Sequence, residues 1–315
     1  MGINFIARRL LLAIPTLLGV AIIVFVLGFL SPGDPALTAL GMTSEGNTSF
    51  DAAQLEQTRH KLGLDQPGYA RFASWLGGAL TGDLGRSYVQ PYQVSDLIGR
   101  AMPVTLALII ATMLVAIAIG IPLGIVSAVF QGRAADYLAR IIAILGVSTP
   151  TFWLGLILLL LFAYTFPIFP INGSFESDGP KVLVLPVLAI ATHPAALIAR
   201  MMRASMLEVL GEDYIRTAFA KGLPAFRVVM RHALRNAISP VVTVVGLQFG
   251  NLIGAAVAIE YIFALPGLGT LMVQSIYAKD LLVIQGVGLV ISVVFILANL
   301  VVDLLYTALD PRLGS

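Results

Sequence analysis

An all-α integral membrane protein with six spanning helices is the fold this sequence predicts, on three observations. Hydrophobic residues make up 58% of the 315 residues and charged residues only 11%, with a mean hydropathy of +0.93. A typical soluble domain is about 25% charged, so too few charges are present to cover the surface of a soluble protein of this size. The apolar residues are also gathered into six uncharged runs, each near the roughly 20 residues that a helix needs to cross the hydrocarbon core. Helices are expected in all of them, because an open strand edge cannot be satisfied in lipid.

The spans are expected at residues 10–30, 103–128, 141–165, 182–201, 237–259 and 281–304 of one transmembrane domain covering 1–315. Arg8 and Arg9 before the first run resemble the start of a secretory signal. The run exceeds a signal core, however, and Leu27-Gly-Phe-Leu-Ser-Pro-Gly33 offers no small-x-small cleavage site, so a retained helix is expected. Six spans place both termini on one side. If that side is cytoplasmic, the inner segments carry Arg8, Arg9, Arg133, Arg140, the seven basic residues from Arg200 to Arg235, and Arg312, which are twelve of the 19. The short outer loops carry only Lys181 and Lys279. Cytoplasmic termini follow from that asymmetry.

Two loops are large. The outer loop, 31–100, contains helix-like stretches at 52–62 and 69–80, with Gly/Pro punctuation that argues for ordered turns. A lid packed on the helix ends and a docking surface for an external partner both remain open for it. The inner loop, 202–236, is the most polar part of the chain and reads as a stiff hairpin of two short helices. The first is expected at 206–221, with Gly222 as its C′ residue and apolar Leu223 next, as in a Schellman ending. Pro224 opens the second, where its missing N–H costs nothing. Arg227, Arg231 and Arg235 follow at i, i+4 and i+8, the spacing of one helix face.

Chemistry is largely excluded. The chain lacks cysteine, so disulfides and thiolate metal sites are ruled out, and His60, His193 and His232 are not at metal-ligand spacing. No phosphate-binding G-x-x-x-x-G-K-[ST] occurs, and neither H-E-x-x-H nor G-x-S-x-G is present. Ionisable residues are nearly absent from the expected spans, with Glu260 and Asp303 at span ends and His193 beside Pro194. Gln248 and Asn251 are candidates for lining a wet pathway, as are Ser292 and Asn299, against a simpler role in interhelical hydrogen bonding. Gly246-x3-Gly250-x3-Gly254, with Gly286 and Gly288, suits close helix approach, within the chain or between subunits.

Several stretches resemble one family. Glu212-Asp-Tyr-Ile-Arg-Thr-Ala-Phe-Ala-Lys-Gly222, followed by Arg231-His-Ala-Leu-Arg-Asn236 and Pro240, is similar to the cytoplasmic loop of ABC importer permeases. Ser31-Pro-Gly-Asp-Pro35, Gly82-Asp-Leu-Gly85, Glu260-Tyr-Ile-Phe-Ala-Leu-Pro-Gly-Leu-Gly269 and Val302-Asp-Leu-Leu-Tyr-Thr-Ala-Leu-Asp-Pro-Arg312 resemble the dipeptide/oligopeptide/nickel permease family, B-type membrane subunit. Against the broader E-A-A-x3-G-x9-I-x-L-P pattern, the chain has Arg216-Thr-Ala218 and His232-Ala-Leu-Arg235, so the role of the leading glutamate does not carry over to Glu212.

The resemblance implies a type I importer fold in a bacterial or archaeal cytoplasmic (inner) membrane. It also implies a second permease subunit, two ATPase subunits and an extracytoplasmic solute-binding protein. ATP and Mg would then sit on the ATPases, with no cofactor, metal, catalytic residue or nucleic-acid partner on this chain. Coupling to the ATPase is assigned to Tyr214, Arg216, Thr217, Ala218, Lys221, Gly222 and Leu223. Binding-protein contact or the pathway mouth is assigned to Glu260, Phe263, Pro266, Gly267, Leu268 and Gly269.

Import of di- or oligopeptides is the leading reading, with nickel or a glutathione-like solute as alternatives in the same family. An ion-coupled secondary transporter is disfavoured by the scarcity of midplane ionisable residues, and an intramembrane enzyme by the lack of a paired catalytic set. The topology is testable because no native cysteine interferes. Ser44→Cys is expected to react with an impermeant maleimide from outside and Ser315→Cys is not; the reverse pattern would overturn the orientation.

Overall fold

The computed structural model describes residues 3–30, 34–40, 52–171 and 175–309. Ser44, Ser315, residues 31–33 of the Ser-Pro-Gly-Asp-Pro motif and the last residues of the 302–312 motif lie outside this set. No strand forms among the described residues. Among the described residues five helices are long and apolar enough to cross a membrane, and the count is six when a helix pair bent by 101° is taken as one broken span. The chain divides into two compact units, one of Gly2–Thr105 with Pro266–Ile296 and one of Leu106–Leu265 with Leu297–Ser315.

The first unit begins with α1 (Ile3–Leu30), α2 (Pro35–Ala39), α3 (Ala52–Lys61) and α4 (Gly68–Thr81), and includes the start of α5 (Val94–Val129). Asp34 caps α2 by accepting the Ala36 N–H at 2.9 Å, with Pro35 pre-set at the first helical position. The same carboxylate accepts from Arg59 Nε of α3 at 3.1 Å. α4 is held to α1 by aromatic packing: Phe25 and Phe72 meet edge-on at 5.2 Å, and Phe25 and Trp75 lie 6.1 Å apart. Such pairs add about 0.5–1.5 kcal/mol beyond their buried area. Part of the long loop is therefore packed onto the first helix.

The second unit continues α5 and adds α6 (Ala134–Ser148) and α7 (Thr151–Leu159), the latter extended by a π-helical turn, Leu160–Thr165. A single helix was expected over 141–165. Instead the helical segment starts at Ala134, and the two pieces are bent by 101°. Pro150 is the cause. It has no N–H to continue the ladder, and its ring drives Thr149 out of the helical region, to φ −86° and ψ 123°.

After α8 (Phe175–Asp178) and a short 3₁₀ turn, Gly179–Leu183, comes α9 (Val184–Leu210), which runs unbroken through Pro194. α10 (Asp213–Ala220) and α11 (Ala225–Arg227) follow, and a π-helical turn, Val228–Ala233, leads into α12 (Leu234–Ile262). α9 is the core of this unit: 72% of its apolar window is buried, against 17% for α1, and α6, α7 and α12 all pack on it.

α5 reaches α9 through two glycines. A Cβ at Gly120 would lie 2.7 Å from the Ala195 carbonyl oxygen, and one at Gly124 would lie 2.5 Å from Met202 Cβ and 2.6 Å from the Ala199 carbonyl oxygen. Small residues of this kind are what let helices associate in lipid. Neither was singled out from sequence, whereas Gly254 of the expected glycine stripe faces open space.

Charges also enter the bundle where few were expected. The early start of α6 and the late end of α9 bring Asp136 and Arg203 together. Arg203 Nε donates to Asp136 Oδ1 at 2.8 Å and Nη2 to Oδ2 at 2.9 Å. Ser127 Oγ adds 2.6 Å to Oδ1, and the Gly132 N–H adds 3.0 Å to Oδ2. Asp136 is 1% exposed, and with four donors its charge is satisfied. The cluster ties α5, the α5–α6 turn, α6 and α9 together.

α13 (Leu268–Tyr277) and the start of α14 (Leu281–Leu309) return to the first unit. Asp280, buried ahead of α14, accepts from Ser87 Oγ and from the Tyr88 and Val89 N–H groups at 3.2 and 3.4 Å. Gly286 and Gly288 are close-approach positions, facing Val94 Cγ1 at 2.5 Å and Val24 at 3.2 Å from where a Cβ would stand.

The α5–α9 contact yields a paired test. Gly124→Leu forces a side chain onto a backbone carbonyl and is expected to cost about 1–3 kcal/mol by overpacking. Gly254→Ala meets nothing and is expected to be neutral or slightly stabilising. Thermal unfolding of the two purified variants in detergent separates them; equal melting temperatures would remove Gly124 as a packing determinant.

Candidate functional site: the hairpin after α9

The hairpin is built on the end of α9. Met202 and Met206 are fully buried there. The helix stops at Leu210, and Glu212 turns extended (φ −73°, ψ 146°) to start α10. Asp213 stands in the first turn, where a negative charge suits the positive helix end. The first arm is thus shorter than the helix expected over 206–221, because residues 206–210 are still α9.

α10 is amphipathic. Ile215 and Ala218, three residues apart, are buried at 1% and 8% exposure in the same apolar cluster as Met202, Met206, Val228 and Val229. Burying an isoleucine side chain stabilises by about 1.5–3 kcal/mol, so this one face accounts for how so short a helix is held.

The arm ends as its sequence predicts. Gly222 has φ +77°, its N–H donates to Phe219 O at 2.9 Å, and the Leu223 N–H reaches back to Ala218 O at 3.4 Å. These two bonds are the Schellman pair. A Cβ at Gly222 would touch nothing within 4 Å, so the demand for glycine comes from the backbone angle alone.

The second arm is not a separate helix. After Pro224 (φ −63°, ψ 141°), α11, the π-helical turn and α12 run on continuously. Val229, Ala233, Ala237 and Val241 recur at four-residue steps on the buried side. Arg227, Arg231 and Arg235 are all exposed. Asn236 Nδ2 donates to Tyr214 Oη at 2.7 Å, which pins α10 to the base of α12.

Of the residues assigned to coupling, Tyr214, Arg216, Thr217, Lys221 and Gly222 are exposed, while Ala218 is buried and Leu223 half-buried. Ala218 and Leu223 therefore anchor the hairpin and are not presented outward. Thr217 Oγ1 donates to Asp213 O at 2.9 Å, and Arg216 Nη1 to Asp213 Oδ1 at 3.4 Å. Sequence reasoning missed the exposed apolar side chains Phe219, Phe226 and Met230, at 46%, 78% and 42% exposure. For Phe219 the sequence carried no clear signal, since it lies four residues after Ile215 and helical spacing sets it beside the buried face.

The 260–269 segment is otherwise disposed than expected. Of the six residues assigned there, Glu260, Phe263, Gly267, Leu268 and Gly269 are buried and Pro266 is exposed. α12 ends in a second Schellman pair, Leu265 N–H to Glu260 O at 2.9 Å and Ala264 N–H to Tyr261 O at 3.2 Å, with Ala264 at φ +51°. The Leu268 N–H donates to Thr105 Oγ1 at 2.8 Å. The buried members are thus structural, and the exposed side chains nearby are Tyr261, Ile276 and Tyr277. Gln248 is buried and Asn251 exposed, while Ser292 Oγ turns back to its own helix at Gly288 O, 2.8 Å. No group of three His, Asp or Glu side chains arranged to hold a metal occurs among the described residues.

Comparisons with known proteins agree along the whole chain. Residues 120–315 match the family described as binding-protein-dependent transport system inner membrane component, and residues 2–109 match its N-terminal companion. The glutathione transport system permease protein GsiC of Escherichia coli K12 is 42% identical over 311 residues, covering 99% of both chains. A putative peptide transport system permease protein of Brucella suis biovar 1 is 42% identical over 312 residues, covering 98% of both. A chain from the MetNI methionine ABC transporter in an inward-facing conformation has a TM-score of 0.56 at 19% identity, over 68% of this chain and 96% of that one, and so shares the fold. With its apolar helices, its helical hairpin and these matches, the chain belongs to the family of membrane-spanning permease components of binding-protein-dependent ABC importers.

Proposed function

We propose that this chain forms half of the pathway by which an ABC importer carries di- or oligopeptides across the inner membrane. A second permease chain supplies the other half. Two separate ATPase subunits bind ATP and Mg, and an extracytoplasmic binding protein delivers the solute. The chain itself has no phosphate-binding loop, in keeping with hydrolysis on its partners. Peptide-like cargo is supported by relatives named for peptide and glutathione transport, and a glutathione-like solute is the second reading. Nickel has less support, because metal-ligand clustering is missing among the described residues.

The observation that carries the mechanism is the hairpin's single apolar cluster, which joins α10 to the end of α9 and the base of α12. Interiors are close-packed and barely compressible. A force applied by an ATPase at Tyr214, Phe219 or Phe226 therefore passes into two spanning helices instead of dissipating in a loop. Exposed Arg216 and Lys221 flank that surface. Both termini are assigned to the cytoplasmic side with the hairpin.

Gly222→Val tests this reading. A β-branched residue at φ +77° is expected to cost about 1–2 kcal/mol or more and to re-aim α10 with the spans still inserted. Gly222→Asn, which tolerates the left-handed region, is expected to retain most function. The expected phenotype of Gly222→Val is normal membrane abundance, lost uptake, and ATP hydrolysis no longer stimulated by loaded binding protein. Full stimulated hydrolysis and uptake would reduce the hairpin to a connector. The chain purified free of ATPase subunits is expected to hydrolyse no ATP, and turnover persisting after their removal would refute the assignment.

A further inference from the structure

A cavity of about 300 Å³ opens between α5, α6 and α9. Arg140, Arg200 and Arg203 line it, and no carboxylate does. Its remaining walls are apolar or small, with Leu123, Ala143 and Ile144 among them. Arg203 is already held by Asp136 at 2.8 and 2.9 Å. Arg140 and Arg200 are exposed and form no ion pair among the described residues, so two guanidiniums are available to an anion at one recess of this unit.

The recess sits where a headgroup belongs. Arg140 lies one helical turn beyond Tyr137, with Cζ 5.9 Å from the ring centroid, and Tyr137 is 56% exposed. Exposed tyrosine on a spanning segment marks the membrane–water boundary, where the ring is half in lipid and half in water. Further along α6, Ile141, Ile144 and Leu145 are exposed and provide an apolar track next to the charged recess. Arg140 and Arg200 are both exposed at this boundary, and a phosphate geometry suits the guanidinium fork.

We infer that the recess between α5, α6 and α9 is a binding site for an anionic phospholipid, whose headgroup phosphate pairs with Arg140 and Arg200 while its acyl chains lie along the exposed face of α6. Asp136 has the role of a positioning residue, because it fixes Arg203 and so shapes the recess. Basic pockets between spanning helices are physically suited to acidic headgroups.

The test is native mass spectrometry of the delipidated full chain, and of the complex as purified from membranes. Each is titrated with phosphatidylglycerol, phosphatidylcholine or inorganic phosphate. Wild type is expected to prefer phosphatidylglycerol, and Arg140→Gln with Arg200→Gln to weaken its binding about 30-fold. The Lys/Lys pair, which keeps the charges, is expected to retain most of the preference and shows that loss in the Gln pair is not misfolding. Equal binding by wild type and the Gln pair would overturn the site. Competition by inorganic phosphate at comparable concentration would reassign it to a free anion and overturn the lipid. Binding by the lone chain but not by the complex would make the recess a subunit contact, which also ends the proposal.

Discussion

The second unit depends on one constraint: α9 must remain packed along its full length. Its buried face runs from Leu185 through Ile198, Met202 and Met206, and without a break it becomes the core of the hairpin at Ile215, Val228 and Val229. A polar loop of this size would ordinarily be free of the bundle. Here it shares the bundle's core, because α9 extends past the expected span end and its Met202 and Met206 belong to the same apolar cluster as Ile215 and Ala218 of α10. Methionine suits such a junction, since its unbranched side chain fills irregular gaps between elements that meet at an angle.

Close packing around α9 requires its neighbours to give up side chains. Glycines at 120, 124, 146 and 155 face α9 or α12 at distances a Cβ could not occupy without displacing something. Because lipid offers no hydrophobic incentive for helices to associate, van der Waals contact and satisfied polar pairs are what remain. The Asp136–Arg203 cluster is such a pair, with both carboxylate oxygens filled. A buried ion pair contributes little net stability, yet removal of one partner strands the other. Its consequence is to lock the register of α6 on α9.

The hairpin separates two tasks that the motif alone conflates. Ala218 and Leu223 face inward and hold the hairpin, whereas Tyr214, Arg216, Phe219 and Phe226 are presented to solvent. In the same way, the 260–269 motif reads as a surface until its burial is seen. Five of its six nominated residues, Glu260, Phe263, Gly267, Leu268 and Gly269, are packed inside the chain.

Composition and apolar run length alone determined the membrane class, the helical fold and the approximate count of spans, because lipid leaves the backbone few options. Local stereochemistry alone determined the turn at Gly222, since a helix ending Lys-Gly-Leu has one inexpensive conformation. Motif resemblance carried the family. The tertiary structure decided the rest, for a physical reason common to each case: the deciding partner is distant in the chain. Asp136 and Arg203 are 67 residues apart, Gly124 meets Met202 across the bundle, and past the 101° bend at Pro150 α7 packs against the distant α9 and α12. No window of sequence contains both halves of such a contact, so which glycines touch, which charges pair and which motif residues face outward became legible only with the fold.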